Sequence, residues 1–437
     1  RIMKESIALF WFRRDLRLED NHGLFRALSS GKRVMPIFIF DPCILDELPK
    51  DDHRVGFIWS QLNRMDAQWF EMGTGIQVFY GDVETVFEEL SSTYLVGEIH
   101  TNRDYEPYAR QRDEKIARWA EAKGIAFHTH QDQVIFEPQQ VVKSDGTPYL
   151  VYTPFSKAWL AKLDHKTPTR YPSEENLHQG LRLKKQMVDL AQMGFTSSII
   201  QAPQALTEDQ RIADYAQTRN FPFLDATTKV GVHLRFGTIS VRSLVRKALV
   251  SEENTYLKEL IWREFMMMLL WHFPHTVQNS YKPVFDRIAW RNNQEEFTAW
   301  CQGKTGYPLV DAGMRELNAT GFMHNRVRML VGSFLVKHLL IDWRWGEAYF
   351  AQKLFDFELS SNVGNWQWVA GSGIDAAPYF RIFNPEEQIK KFDQDHKYIR
   401  RWVPEYQEFT YPKPIVDHKM ARERFLQAHK AAASILN

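Results

Sequence analysis

The sequence predicts an α/β half built on a parallel sheet, joined through a long connection to an all-α half. Three observations carry this expectation. The first third alternates short apolar runs with amphipathic stretches of helical length. A charged, turn-rich segment follows over 133–205. From about residue 206 onward nearly every stretch repeats its apolar positions at helical spacing, and several are apolar all round. With 437 residues the chain exceeds one hydrophobic core, so the expected division is 1–132, 133–205 and 206–437.

Taken in order, the strands are expected at 7–12 (IALFWF), 33–40 (RVMPIFIF), 76–81, 96–102 and 125–130. Helical patterns fill 22–29, 53–72, 84–92 and 106–123 between them. That alternation gives a Rossmann-like parallel sheet with helices on both faces. No GxGxxG follows the first strand, so the dinucleotide fingerprint is missing. The turn there reads RRDLRLEDN, whose charges are expected to pair with one another. Beyond 131, KSDGTPYLVYTPF and DHKTPTRYPSEEN have little apolar content and are expected to wrap the surface, interrupted by one helix near 155–163. The all-α half opens on TEDQRIADYAQTR with a Thr cap signal and continues through TYLKELIWREFMMMLLWHF, PLVDAGMRELNATG and HNRVRMLVGSFLVKHLLI.

Lys plus Arg against Asp plus Glu is 55 to 54, which leaves any nucleic-acid contact to a local basic face. Cys43 and Cys301 lie far apart and read as free buried thiols in a reducing compartment; no metal site is expected. No apolar run approaches membrane-spanning length, and RIMKESIALFWFRRD lacks a secretory profile, so a cytoplasmic protein with no membrane contact is expected. No Ser–His–Asp spacing, HExxH, Walker loop or CxxC pair appears. What remains is aromatics, arginines and polar turns in the helical half, which holds most of the 14 Trp and 30 Phe.

The stretch 356–385, DFELSSNVGNWQWVAGSGIDAAPYFRIFNP, shows neither the helical nor the strand period and sets turn formers against Trp366 and Trp368. It is either an awkward buried loop or the wall of a pocket for something flat and polar. Glu259 and Trp262 are three apart on a helical pattern and share a face, with Arg263 beside them. A carboxylate beside an indole suits a flat ligand with N–H groups, or simply a half-buried helix. Arg328 within HNRVRM needs a partner if buried, and Asp356 or Glu358 would serve. Met266, Met267 and Met268 suit core filling.

Several long motifs together make the chain resemble the DNA photolyase and cryptochrome family: LFWFRRDLRLEDN near the start, ELIWREF at 259–265, GKTGYPLVDAGMREL at 303–317, MHNRVRM at 323–329 and SSNVGNWQWVAGSGIDAAPYFRIFNP at 360–385. The resemblance covers almost the whole chain. It implies an N-terminal Rossmann-like antenna domain, a linker and a C-terminal helical FAD-binding domain. By the same likeness Tyr215, Thr227, Thr228, Lys229, Val230 and Gly231 hold the cofactor's phosphates, with backbone N–H groups ahead of a helix forming an anion site. Gly231 stands where the family usually has a serine. Tyr256 and Arg263 match further FAD neighbours, Arg328 and Asp356 a salt bridge against the flavin ring, and Asn362 the residue facing its N5. Glu358 replaces the family's usual Asp.

On the substrate side, the resemblance assigns Glu259, Trp262 and Trp368 to a flipped-out pyrimidine dimer. Asn325, Arg326 and Met329 line that pocket, and Arg381 and Gln388 reach DNA. Trp366, Trp343 and Trp290 match a chain of oxidisable indoles that re-reduces the flavin; without the resemblance each would be a core tryptophan. Tyr108 and Ala109 stand where folate-binding relatives carry Asn-Glu, so a second antenna chromophore stays open in identity. The implied activity is light-driven repair of cyclobutane pyrimidine dimers by excited reduced FAD, in a monomer with no obligate protein partner. The alternative it leaves is a cryptochrome-like blue-light photoreceptor.

Overall fold

The computed structural model describes residues 5–435 and divides them into two compact units. Among the described residues the first comprises 5–137, 165–205 and 230–250, the second 138–164, 206–229 and 251–435. The stretch read as one connection over 133–205 is thus shared between them.

In the first unit five parallel strands, β1 (Ile7–Phe12), β2 (Val34–Phe40), β3 (Gln77–Tyr80), β4 (Val96–Asn102) and β5 (Ala126–His130), are ordered β3-β2-β1-β4-β5. Every residue of β1 and β2 is buried, as central strands covered on both faces require. The crossover helices are His22–Leu28, His53–Phe70, Val83–Thr93 and Pro107–Ala122. Asn21, Asp52 and Asp82 cap the first three by accepting backbone N–H groups. Trp11 packs edge-on against Phe87 at 5.1 Å in the core beneath them.

The charges of the RRDLRLEDN turn are paired, but with partners outside the turn rather than with one another. Arg13 meets Asp113 at 2.5 Å, and Arg17 meets Asp132 at 2.6 Å. Asp20 meets Arg242 and Arg246 at 3.3 and 2.8 Å. The segment after 165 does more than wrap a surface. Gly180, Leu183 and Gln186 bridge in parallel to Val34, Thr74 and Gln77, and Leu177 and Leu181 are buried. Its low apolar content misled because backbone pairing over 180–186 and a few buried side chains hold it.

The second unit is helical. Its core gathers residues from Pro308–Thr320, Asn325–Ser333, Trp343–Lys353 and Leu359–Ala370, running on into the single π-helical turn Phe334–His338. The stretch 359–370, which shows no period in sequence, is therefore an α-helix. Its inner side buries Ser360, Asn362 and Gln367 among Val363, Trp366 and Val369, so polar residues interrupt the apolar repeat. Helix Tyr152–Leu163 belongs to this unit and packs on Thr255–His272, where Trp159 Nε1 donates to Glu264 Oε1 at 3.0 Å. Cys301 is half-buried and Cys43 exposed, so the latter corrects the expectation of two buried thiols. Among the described residues no helix is long and apolar enough to cross a membrane.

Gly346 marks how tightly this core closes. A Cβ there would lie 2.1 Å from Trp366 Cη2 and 2.6 Å from Leu335 Cδ2. Gly346→Ala is expected to cost about 1–3 kcal/mol through overpacking, read as a lowered unfolding midpoint.

Candidate functional site

Within the second unit a cavity of about 440 Å³ opens between the helices, within the size range of small-molecule and cofactor sites. Helix Thr255–His272 contributes Glu259, Trp262, Arg263 and Met266 to its wall. The Asn325–Ser333 helix contributes Asn325, Arg326, Arg328 and Met329, and helix Leu359–Ala370 adds Asn362, Trp366 and Trp368. Tyr215, Thr227, Asp356 and Glu358 complete it from turns and helix ends. Each is a residue singled out in sequence, and the fold brings them to one place.

Four arginines (Arg219, Arg263, Arg326, Arg328) face three carboxylates (Glu259, Asp356, Glu358) around this space. The surplus of positive charge suits an anionic guest. Arg328 is locked by a two-pronged bridge to Asp356, Nη1–Oδ1 at 3.1 Å and Nη2–Oδ2 at 2.8 Å, and its Nε donates to the Met323 carbonyl at 2.5 Å. Glu358 sits 3.8 Å from Arg263, at the N-terminus of the helix that carries Asn362. Asn362 donates from Nδ2 to both the carbonyl and Oε1 of Glu347, each at 3.1 Å, which sets its amide orientation. Burial raises the pKa of Glu347 and Asn362 opposes that rise.

Glu259 pairs with Arg219 at 2.8 Å and keeps 36% of its side-chain surface open. Enough protein still surrounds it that desolvation raises its pKa against the pull of Arg219. Trp262 is clamped from behind by Tyr152, ring on ring at 3.7 Å and 5°. Tyr152 is itself tied by its hydroxyl to the Lys258 carbonyl at 2.9 Å and by its N–H to Asp375 at 2.8 Å. Arg326 donates to Asn220 at 2.8 Å and lies 4.3 Å over the Phe392 ring. His324 caps its helix by accepting the Arg326 N–H at 3.1 Å, and burial lowers its pKa to about 4, so the ring is neutral.

Not every singled-out residue lines the cavity. Thr228 and Tyr256 are buried and share a 3.0 Å hydroxyl contact. Lys229 adopts φ +54° and pairs with Asp225 at 2.6 Å. Val230 and Gly231 fall in the first unit, where Gly231 opens the short helix Gly231–Arg235. Trp343 is fully buried and donates to Ser280 Oγ at 2.9 Å, while Trp290 is only partly buried against the same core. Arg381 is exposed and Gln388 is buried on helix Pro385–Phe392, so Gln388 is not displayed as a surface contact.

Sequence reasoning missed Tyr152, Arg219, Asn220 and Glu347. Each is distant in sequence from the group it supports, and only Tyr152, an aromatic inside an otherwise polar connection, carries a local signal.

The cavity fits FAD on its own observations: net positive charge, aromatic walls, and a buried indole N–H, Trp366 Nε1, that has no partner among the described residues. The comparisons agree. Residues 256–410 match the FAD-binding domain of DNA photolyase and 8–173 match the DNA photolyase domain. A deoxyribodipyrimidine photo-lyase of Synechococcus sp. is 37% identical, over 95% of each chain. The crystal structure of a bacterial class III photolyase from Agrobacterium tumefaciens superposes with a TM-score of 0.89 at 34% identity, covering 99% of this chain and 98% of that one. An archaeal photolyase from Sulfolobus tokodaii, solved with two FAD molecules, gives 0.83 at 33% identity, over 98% and 100%. The fold of both units is shared with these relatives, and the chain belongs to the DNA photolyase family.

Proposed function

We propose that this protein repairs cyclobutane pyrimidine dimers in DNA by a light-driven reaction. The observation that carries the reading is that a single cavity is lined both by Glu259, Trp262 and Trp368 and by Arg263, Arg328, Asp356 and Asn362. A dimer is poorly stacked in its duplex and leaves it at low cost. Trp262 and Trp368 offer it faces to stack on, and the clamp of Tyr152 fixes Trp262 before substrate arrives. Glu259 hydrogen-bonds the pyrimidine edge, with Arg219 orienting its carboxylate. Asn325, Arg326 and Met329 line the same pocket. Exposed Arg381, Lys391, Arg400 and Arg401 meet the phosphates, a local basic face that net charge conceals.

Bound and reduced, FAD would supply a photoexcited electron that opens the two bonds joining the pyrimidines and then returns to the flavin. Tyr215, Thr227, Arg263, Glu358, Arg328 and Asp356 would hold it, and Asn362 is oriented by Glu347. Thr228 and Tyr256 brace that wall through their shared hydroxyl contact, and Lys229 steadies the turn through Asp225. Trp366 lines the cavity, and with Trp343 and the partly exposed Trp290 it forms an oxidisable path to the surface. A second chromophore belongs to the first unit in this reading; the two-FAD archaeal relative supports its existence without naming it here. Because one chain lines the whole cavity, a monomer suffices, and two free thiols suit a cytoplasmic setting.

Illuminating the reduced protein with an oligonucleotide carrying one thymine dimer should restore two thymines. Trp262→Ala should then lose about 1–3 kcal/mol of preference for dimer-containing over undamaged DNA. Dark and lit samples with equal dimer content would exclude repair and leave the blue-light receptor.

A further inference from the structure

At the β5 edge of the first unit's sheet, neighbouring strands set their histidines side by side. The parallel register pairs His100 with His128 and Asn102 with His130. By the two-residue repeat, Glu98 and His100 on β4 share a face with His128 and His130 on β5. The His100 ring stacks on both His128 and His130, with centroids 4.8 and 5.2 Å away. Glu98 reaches both imidazoles: Oε1 lies 3.1 Å from His100 Nε2, and Oε2 lies 3.9 Å from His128 Nε2. One donor atom from each of the three residues lies within 4.8 Å of the others.

We propose that Glu98, His100 and His128 form a binding site for a divalent late transition metal, with zinc as the reference ion and water in a fourth position. Zinc takes imidazole nitrogen and carboxylate oxygen at about 2.0–2.2 Å, which sets tetrahedral donors about 3.4 Å apart. The present spacing needs an inward shift of up to about 1.4 Å, and His128, with 46% of its side chain exposed, is free to make it. Behind the donors His100 Nδ1 meets His130 Nε2 at 2.9 Å. With Nδ1–H donated to His130, His100 Nε2 presents its lone pair; such an outer hydrogen bond orients metal-bound histidines.

An ion pair alone does not explain the cluster. An ion pair engages Glu98 and one imidazole at a time, whereas three imidazoles gather here around the His100 ring. Lys32 and Ser30 also face Glu98. Lys32 is half-exposed, and a divalent ion held by two imidazoles as well displaces it. The expectation of no metal rested on cysteine spacing and the missing HExxH, and strand pairing is what brings residues 98, 100 and 128 together.

Bound there, the ion pins the sheet's last strand to its neighbour. The test is calorimetric titration of zinc chloride into the flavin-loaded, EDTA-stripped full chain, with thermal unfolding alongside. One equivalent should bind and raise the unfolding midpoint. His128→Ala, at an exposed position, should weaken binding about tenfold or more and abolish the shift, and His130→Ala should weaken it by about 10–100-fold. His178→Ala, exposed elsewhere in the first unit, should bind like the parent. Absence of a bound equivalent in the parent, or undiminished affinity in both His128→Ala and His130→Ala, overturns the site.

Discussion

Arg328→Ala is expected to give a protein purified largely without flavin. The guanidinium holds Asp356 with both prongs and the Met323 carbonyl with its third donor, so it is fixed before any ligand binds. Its removal leaves the Asp356 carboxylate, 15% exposed, without its cation on the wall of a cavity meant for an anion. Truncating one member of such a pair costs about 2–5 kcal/mol, much of it for the charge left behind. That corresponds to a loss of flavin affinity of roughly thirtyfold to several-thousandfold. The check is the ratio of flavin to protein absorbance after purification, followed by FAD titration. Arg328→Ala with Asp356→Ala should recover part of the loss, because the orphaned charge is gone. Unchanged flavin content in Arg328→Ala would remove the pair from the binding site.

The largest effect on stability is expected at Asp132. Its carboxylate, 2% exposed, accepts from Arg17 at 2.6 and 2.8 Å and from Arg242 at 2.8 Å. Burial alone would raise its pKa, but the two arginines outweigh burial and hold it well below the usual carboxylate range. A lowered folded-state pKa contributes stability above the unfolded value near ~3.9, which is lost as pH falls below it. Asp20 is lowered in the same direction, and Asp104 to about 2. Asp132→Asn should cost about 3–5 kcal/mol at neutral pH, since buried Arg17 loses its counter-charge and Arg242 is left with Asp20 alone. Its stability should also vary less between about pH 4 and 2 than the parent's. Denaturant unfolding at a series of pH values reads both effects; equal slopes would show that Asp132 does not carry the acid sensitivity.

The α/β half was legible because local rules decide it: β1 and β2 are unbroken apolar runs, and their helices carry capping residues ahead of them. The helix at 359–370 was not, since Ser360, Asn362 and Gln367, of which only Asn362 lines the site, stand where apolar residues would otherwise mark a core face. For the cavity, the need of a buried arginine for a partner pointed from Arg328 to Asp356, and the two meet. Glu259's partner Arg219 lies forty positions away, and nothing local announces it. Motif resemblance located the walls, while the supports behind them had to be seen in three dimensions.

The discontinuity of the two units has a consequence for synthesis on the ribosome. Helix Tyr152–Leu163 emerges about 90 residues before its partner Thr255–His272, a delay of about 5–20 s at ordinary elongation rates of roughly 5–20 residues per second. During that interval Phe155 and Trp159, both buried in the finished protein, have no surface of their own unit to cover them. The first unit waits likewise for Arg242 to neutralise Asp132 and Asp20. Slowing translation between residues 164 and 255 should therefore lower the yield of folded protein more than slowing it later.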